Sequence, residues 1–168
     1  MKFLSMCILL FCLSGCGYHF PGHGGVLPGG VGKLYIPLFV NKTAEPQLEF
    51  MMTSRVSEVF SRNSKITQVE MPQYADAILK GTVRDYKSSA LSYDSNDAIG
   101  QYRSTLIVDA VLQQAESEQL LWEGTVSWSE IYSAADDKNI QEGSRLLALN
   151  KTTLRLAEEL LYQLLDDF

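Results

Sequence analysis

Three stretches of this chain alternate apolar and polar residues, and this alternation constrains the fold more than any other feature of the sequence. They cover residues 77–83, 102–112 and 120–129. Successive side chains of a β-strand point to opposite faces, so each stretch predicts a strand with one buried and one wet face. The turn-rich segments 94–97 and 116–118 separate them, which predicts a meander of hairpins. The residues predicted to be buried are Leu79, Val83, Leu106, Val108, Ala110, Leu112, Leu120, Trp122, Val126 and Trp128.

A helix and two shorter strands are predicted before this meander. The β-rich run 33–40, interrupted by Pro37, predicts a first strand, and residues 66–69 predict a second. Between them, Pro46 suits the first turn of a helix, where the missing N–H costs nothing, so we expect a helix over 43–63. Its apolar stripe, which should face the sheet, is Leu48, Met52, Val56, Val59 and Phe60.

A leucine-rich segment over 137–166 predicts a long helix with a wide apolar face that must be covered. A helix lying on the meander is the natural cover. The element order predicts an α+β fold, a two-layer sandwich in which two helices pack on one face of a mixed, mostly antiparallel sheet. We expect a single domain over 33–168, with its core between Lys33 and Leu165. The leucine-rich face comprises Leu146, Leu147, Leu149, Leu154, Leu156, Ala157, Leu160, Leu161, Leu164 and Leu165.

A targeting segment precedes this domain. A short positively charged start, an apolar run over 3–13 and small residues before Cys16 predict a secretory signal peptide over 1–15. The sequence Leu-Ser-Gly-Cys at 13–16 resembles the bacterial lipobox, which implies lipid attachment to Cys16 after cleavage; the alternative is a cysteine that follows an ordinary signal by chance. Residues 16–32 contain seven glycines, and we interpret them as a lipidated, glycine-rich tether.

Charge and composition exclude several classes of function. With 14 Lys+Arg and 20 Asp+Glu, the net charge is -6, which disfavours nucleic-acid binding. Cys7 and Cys12 lie in the signal, so the mature chain keeps one cysteine and no disulfide is expected. His19 and His23 lie in the tether without acidic or thiol neighbours, so we expect no metal site. Nucleophile and phosphate-loop motifs are missing, so we expect no cofactor and no enzymatic activity; a hydrolase using paired carboxylates is the open alternative.

Four segments together resemble the lipopolysaccharide-assembly lipoprotein family LptE. They are the start Gly-Cys-Gly-Tyr-His-Phe at 15–20, the strand and helix entry at 35–43, the segment 75–83 and the leucine-rich terminal helix. The resemblance covers nearly the whole mature chain. It implies an outer-membrane lipoprotein, facing the periplasm and the barrel lumen, that plugs the LptD β-barrel, helps it assemble and contacts lipopolysaccharide. The alternative is another lipid-anchored periplasmic scaffold or binding module of an envelope assembly machine.

Two sets of wet-face side chains are the candidates for these contacts. Lipopolysaccharide phosphates need cations, and the outward parity shared by Lys80, Arg84 and Arg103 predicts one basic patch. Asp109 has the same parity, so neutralisation of these charges in surface ion pairs is the alternative. The acidic turn at 94–97 argues against lipopolysaccharide contact there. Barrel lumens are polar, so we expect hydroxyl side chains to meet the barrel wall, with plain solvent exposure as the alternative; these are Thr82, Thr105, Thr125, Ser127 and Ser129.

Overall fold

One β-sheet with two helices on one face makes up the described part of the chain, which in this computed structural model is residues 25–93, 95 and 97–166. The predicted α+β sandwich is confirmed. In chain order the strands are β1 (Lys33–Tyr35), β2 (Val40–Asn41), β3 (Thr67–Gln68), β4 (Ala77–Tyr93), β5 (Ile99–Gln114) and β6 (Leu120–Ser133). The helices are α1 (Leu48–Ser61) and α2 (Lys138–Asp166), and two short 3₁₀ turns cover Pro28–Gly30 and Pro72–Tyr74.

The sheet combines a parallel part with the predicted antiparallel meander. Its strand order is β3-β1-β4-β5-β6, and β2 also pairs with β4. The β1, β2 and β3 pairings are parallel, whereas β4, β5 and β6 are antiparallel neighbours. These three strands have 17, 16 and 14 residues, longer than the alternation predicts. Register shifts after Val83 and Ala90 break the alternation without ending the pairing.

The core lies between the sheet and the two helices. All five residues of the predicted α1 stripe are buried, and the most exposed of them, Val59, is only 6% exposed. The residues of the meander that were predicted to be buried are buried, except for two on β6. From α2, the leucines that reach the sheet recur at helical spacing, so one side of this long helix closes the core. These are Leu149, Leu156, Leu160 and Leu164.

The core begins before Lys33, so the expectation that it lies between Lys33 and Leu165 is wrong. Leu27 and Val31 are 2% and 5% exposed and belong to the core cluster. The turn between them has Gly29 and Gly30 at φ 71° and 72°, a backbone conformation that favours glycine. This turn reverses the chain, brings Leu27 and Val31 into a β-bridge, and lets both side chains pack inward.

Two predicted element boundaries are also wrong. The first predicted strand is two separate strands, β1 and β2, because proline at Pro37 has no N–H to donate to the sheet. The first helix starts at Leu48, later than predicted, since Gln47 just before it has a left-handed backbone at φ 65°. Pro46 therefore lies in the turn that precedes α1 and not in its first turn.

Four residues predicted to be buried are exposed. A register shift after Leu112 places Leu120 opposite Gln113, on the wet face, and Leu121 packs against the core instead. Trp128 lies on the outermost strand and donates from its indole nitrogen to Glu130 Oε1 at 3.1 Å. The apolar face of α2 is wider than the part of the helix that the sheet covers. Leu147 points about 160° away from the buried Leu149 around the helix axis. The exposed residues are Leu120, Trp128, Leu146 and Leu147.

A row of small residues crosses the three long strands and makes room for two aromatic rings. Gly81 pairs with Ala110, which pairs with Gly124. A Cβ on Gly81 would overlap the ring of Phe39, which is 2% exposed, and a Cβ on Gly124 would lie 2.5 Å from the ring of Trp122. Glycine at these positions is therefore required by the packing of the rings.

The glycine row gives a stability prediction. Gly81→Ala should lower the free energy of unfolding by about 2 kcal/mol, because the buried Phe39 ring must move, and should lower the Tm by about 4–8 °C. Gly143→Ala is the matched control, since nothing lies within 4 Å of a Cβ on Gly143 and alanine favours helix by about 0.5–1 kcal/mol. Thermal unfolding by circular dichroism measures both, and the account is contradicted if the two variants shift the Tm in the same direction.

Arg145 of α2 joins three parts of the fold. Its guanidinium pairs with Glu45 at 2.9 Å, before α1, and with Glu142 at 2.7 Å on its own helix. It also donates to the Tyr86 hydroxyl of β4 at 3.3 Å. The hydrogen bond to Glu142, reinforced by those to Tyr86 and Glu45, raises the pKa of Arg145 above its ordinary value. The half-buried guanidinium thus fixes the start of α2 to the sheet and to the α1 entry.

Removal of this guanidinium should be costly. Arg145→Leu leaves Glu45, whose side chain is 18% exposed, without its cation, so we expect a loss of about 1–2 kcal/mol in the free energy of unfolding. Arg155→Leu is the control, because the pair it makes with Glu158 is exposed and such pairs contribute about 0–1 kcal/mol. Equal losses of unfolding free energy in urea titrations of the two variants would show that the Arg145 contacts stabilise the fold no more than an exposed ion pair does.

Candidate functional site: the open sheet face

The face of β4, β5 and β6 that points away from the helices is called here the open face. Residues alternate along each strand, so those beside the buried core positions all point to this side. None of the open-face residues on these strands is buried, whereas helix-facing residues such as Leu79, Leu106 and Val108 are 0% exposed. The open face is therefore the largest continuous surface of the sheet available to a partner.

All five predicted hydroxyl residues lie on the open face, and the register brings them together. Thr82 and Thr125 flank Asp109 in one row, and Thr105 lies beside Ser129 four residues away along β5. Thr125 donates to Asp109 Oδ1 at 2.8 Å, and the hydroxyls of Thr105 and Ser129 are hydrogen-bonded at 2.8 Å. Ser127 lies between these two rows on β6. The hydroxyls and Asp109 thus form a polar track that crosses β4, β5 and β6 and follows β6 from Thr125 to Ser129.

The structure does not gather the three predicted cations into one patch, so that part of the prediction is wrong. Lys80 pairs with Val111 on β5, which is eight residues from Arg103, a separation of roughly 27 Å along the strand. Arg103 lies near the tip of the β4–β5 hairpin and Lys80 near its base. Shared parity places residues on one face, but the length of the hairpin separates them.

Two of these cations have side-chain partners, but only one of the two partners is an anion. Arg84 Nη1 lies 3.0 Å from Asp109 Oδ1, as the alternative reading of the sequence predicted, with both side chains well exposed. Lys80 donates to Gln113 Oε1 at 2.9 Å. Arg103 has no ion pair or side-chain hydrogen bond to any residue in the part of the chain the structure describes. Arg103 is therefore the cation of this set without a side-chain partner, and Lys80, whose partner is a neutral amide, also keeps its charge.

Sequence reasoning missed the aliphatic residues of the open face. They are β-branched, and they stand beside the hydroxyl residues on the same strands or, in the case of Val40, on β2 next to Thr82. The signal was present in the sequence, because Ile107 and Val111 occupy positions in the 102–112 alternation where a polar residue is expected. The open face is therefore amphipathic and suits contact with a protein surface as well as with water. These residues are Val40, Ile78, Ile107, Val111 and Ile131.

Some predictions fall on residues outside the described part of the chain. Cys16, His19 and His23, which precede Gly25 in the sequence, and Asp94, which belongs to the predicted turn at 94–97, lie outside the described residues. Within residues 25–93, 95 and 97–166, no group of three metal-ligating side chains is close enough to hold an ion. No helix in that same part of the chain is long and apolar enough to cross a membrane.

Comparison with protein families gives one match that spans most of the chain. Residues 31–167 match the sequence model of a family described as LptE, lipopolysaccharide-assembly. Among curated proteins, none matches the sequence.

Several solved structures share the fold at low sequence identity. Lipoprotein B from Nitrosomonas europaea is 15% identical with a TM-score of 0.62, covering 89% of this chain and 91% of that one. A Xanthomonas campestris protein is 14% identical with a TM-score of 0.61, covering 84% and 86%. The rare lipoprotein B from Shewanella oneidensis is 13% identical with a TM-score of 0.56, covering 78% and 92%. At these identities the likeness shows the fold alone.

Proposed function

Since the chain belongs to the LptE family of lipopolysaccharide-assembly proteins, we propose that it is an outer-membrane lipoprotein that acts with an LptD-type β-barrel. In this proposal Cys16 carries the lipid anchor, and the domain enters the barrel lumen as a plug and assembly partner. The pair inserts lipopolysaccharide into the outer leaflet. The role of this chain is to bind and to hold the barrel in shape, without a catalytic step.

The observation that carries the barrel contact is the composition of the open face. The lumen of an outer-membrane barrel is polar, and a plug must offer it groups that replace water. Hydroxyls do so in both directions, because each donates and accepts. Thr105 pairs with Ser129 there, and Thr125 lies on the same strand as Ser129, four residues away. The neighbouring β-branched residues supply contact area.

The dimensions of the domain also support this arrangement. The 17 residues of β4 extend about 55 Å, roughly twice the ~25 Å apolar band of a barrel. The N-terminal end of the described chain lies at the base, since a Cβ on Gly25 would be 3.0 Å from Leu165 at the end of α2. A domain anchored at its base and extended toward the hairpin tip has the length to reach through a barrel.

Contact with lipopolysaccharide is part of the proposal, and each cation is proposed as a separate contact site instead of one shared basic patch. Lys80, Arg84 and Arg103 are the candidates, and Arg103 is the strongest because no described residue takes up its charge. Its guanidinium fork suits a phosphate in bidentate geometry. Arg103→Glu should reduce lipopolysaccharide binding by the purified chain more than Arg84→Glu does, because Arg84 is already paired with Asp109. Binding by Arg103→Glu at the wild-type level would remove Arg103 from the mechanism.

Co-purification tests the proposed function. A C-terminal tag on the full chain, detergent extraction and mass spectrometry of the partners should recover an LptD-type barrel as the main partner, in equal amount. Recovery of other envelope proteins without a barrel would favour the alternative role as a scaffold of a different assembly machine.

A further inference from the structure

The two edges of the sheet are unequal. One edge is β3, with two residues, while the other is β6, with 14 residues. A long free edge exposes a row of unpaired N–H and C=O groups, and native proteins usually shorten it, cover it or mark it with lysine or proline. β6 contains neither lysine nor proline. The sheet therefore keeps a long edge that is open to pairing.

The outer side of β6 is unpaired within the described part of the chain. Its only strand partner is β5, and in an antiparallel pair every second residue points its N–H and C=O away from the neighbour. Over residues 123–133 no backbone hydrogen bond reaches any described residue outside β5. Ser127, Trp128 and Ser129 are all exposed, so no other part of the described chain covers this stretch on either face of the sheet.

The charges of the edge indicate what pairs with it. β6 carries Glu123 and Glu130 and no basic residue. Two copies of β6 paired with each other would gain no ion pair, whereas a segment with lysine or arginine gains one at each glutamate. Residues 17–24 of this chain contain Pro21 and three glycines, which disfavour a strand.

We propose that residues 123–133 of β6 pair edge to edge with an extended, basic segment of the partner protein, adding a seventh strand to the sheet. The inference rests on the proposed function, because a barrel is the partner that brings this segment. A closed barrel has no free strand edge. The pairing segment therefore comes from a loop or terminal extension of the partner and not from its wall.

Hydrogen exchange of the full-length lipoprotein tests this pairing. The β6 amides over 124–133 that point away from β5 should exchange at least roughly tenfold more slowly in native outer-membrane vesicles than in the same lipoprotein produced and purified without the barrel. The core amides of β5 over 106–112 serve as the control and should exchange equally in both. Equal exchange of these outward amides in the two samples overturns the proposal, and so does their full protection in the barrel-free chain, which would mean that β6 pairs with this chain or with a second copy.

Two variant pairs separate edge pairing from contact through the open face. The N–H groups of Ser127 and Trp128 point to opposite sides of β6, one toward β5 and the other away from the sheet. Of Ser127→Pro and Trp128→Pro, the variant that breaks a hydrogen bond to β5 should lower the Tm. The variant that keeps the Tm is therefore the one that removes the outward donor. That variant should lose the protection seen in vesicles. Glu123→Lys should lose it too, whereas Glu116→Lys in the β5–β6 turn should not. If β6 stays protected in all of these variants, the edge pairing is wrong even where the barrel co-purifies; if no barrel co-purifies, the proposed function fails instead.

Discussion

Replacing Cys16 with serine should remove the chain from the outer-membrane fraction and abolish labelling by palmitate. The thioether to the diacylglyceryl group needs the cysteine sulfur, and without it the signal is left uncleaved or the product is soluble. Stable anchoring takes two lipid signals, and the lipobox resemblance implies three acyl chains on this one residue. Membrane fractionation and metabolic labelling measure the effect.

The chain offers a matched control for this experiment. Cys7 and Cys12 lie within the predicted signal peptide, so Cys7→Ser with Cys12→Ser should leave both labelling and fractionation as in the wild type. Wild-type labelling of the Cys16→Ser chain would overturn the assignment of the anchor.

Bulky substitutions on the open face should disrupt the barrel complex. Thr105→Trp together with Thr125→Trp adds two indole rings to the polar track, where a barrel wall in contact has no space for them. We expect the recovery of the barrel with the tagged chain to fall by about tenfold or more, equivalent to at least about 1.4 kcal/mol of binding free energy. The fold should persist, because surface substitutions usually change stability by about 0.5 kcal/mol or less.

The control places the same rings on the other side of the domain. Asn150 and Lys151 are exposed on α2, away from the open face, so Asn150→Trp with Lys151→Trp should leave barrel recovery unchanged. If the open-face variant folds and still recovers the barrel, the open face is exposed to solvent and does not contact the partner.

Much of the fold follows from local periodicity. The period-2 alternation assigned the buried and open faces of β4 and β5, and the helical stripe assigned the buried face of α1. Both depend only on residues a few positions apart in sequence, so a single chain is enough to read them. The five hydroxyl residues of the open face were placed correctly for the same reason.

Features that depend on the register between strands could not be predicted from the sequence. The separation of Lys80 from Arg103 follows from where the hairpin turns, and the alignment of Gly81 with Ala110 and Gly124 requires the pairing of three strands. The register shift before Leu120 turned that residue outward although its parity favours burial. Each of these needs contacts between residues that are far apart in sequence.

The N-terminal segment shows a different limit. Its glycine content predicts irregular backbone, and the backbone around Gly29 is indeed a turn. Composition does not show whether such a turn belongs to a tether outside the domain or packs against the domain. Here Leu27 and Val31 pack in the core and fix the turn there.

Photo-crosslinking in living cells tests the central claim most directly, namely that the open face meets a barrel. A benzophenone amino acid in place of Thr105 should form an ultraviolet-dependent adduct with the LptD-type barrel, identified by mass spectrometry. The same group in place of Lys151 on α2 should form none. An adduct from Lys151 without one from Thr105, or none with the barrel from either position, would contradict the account.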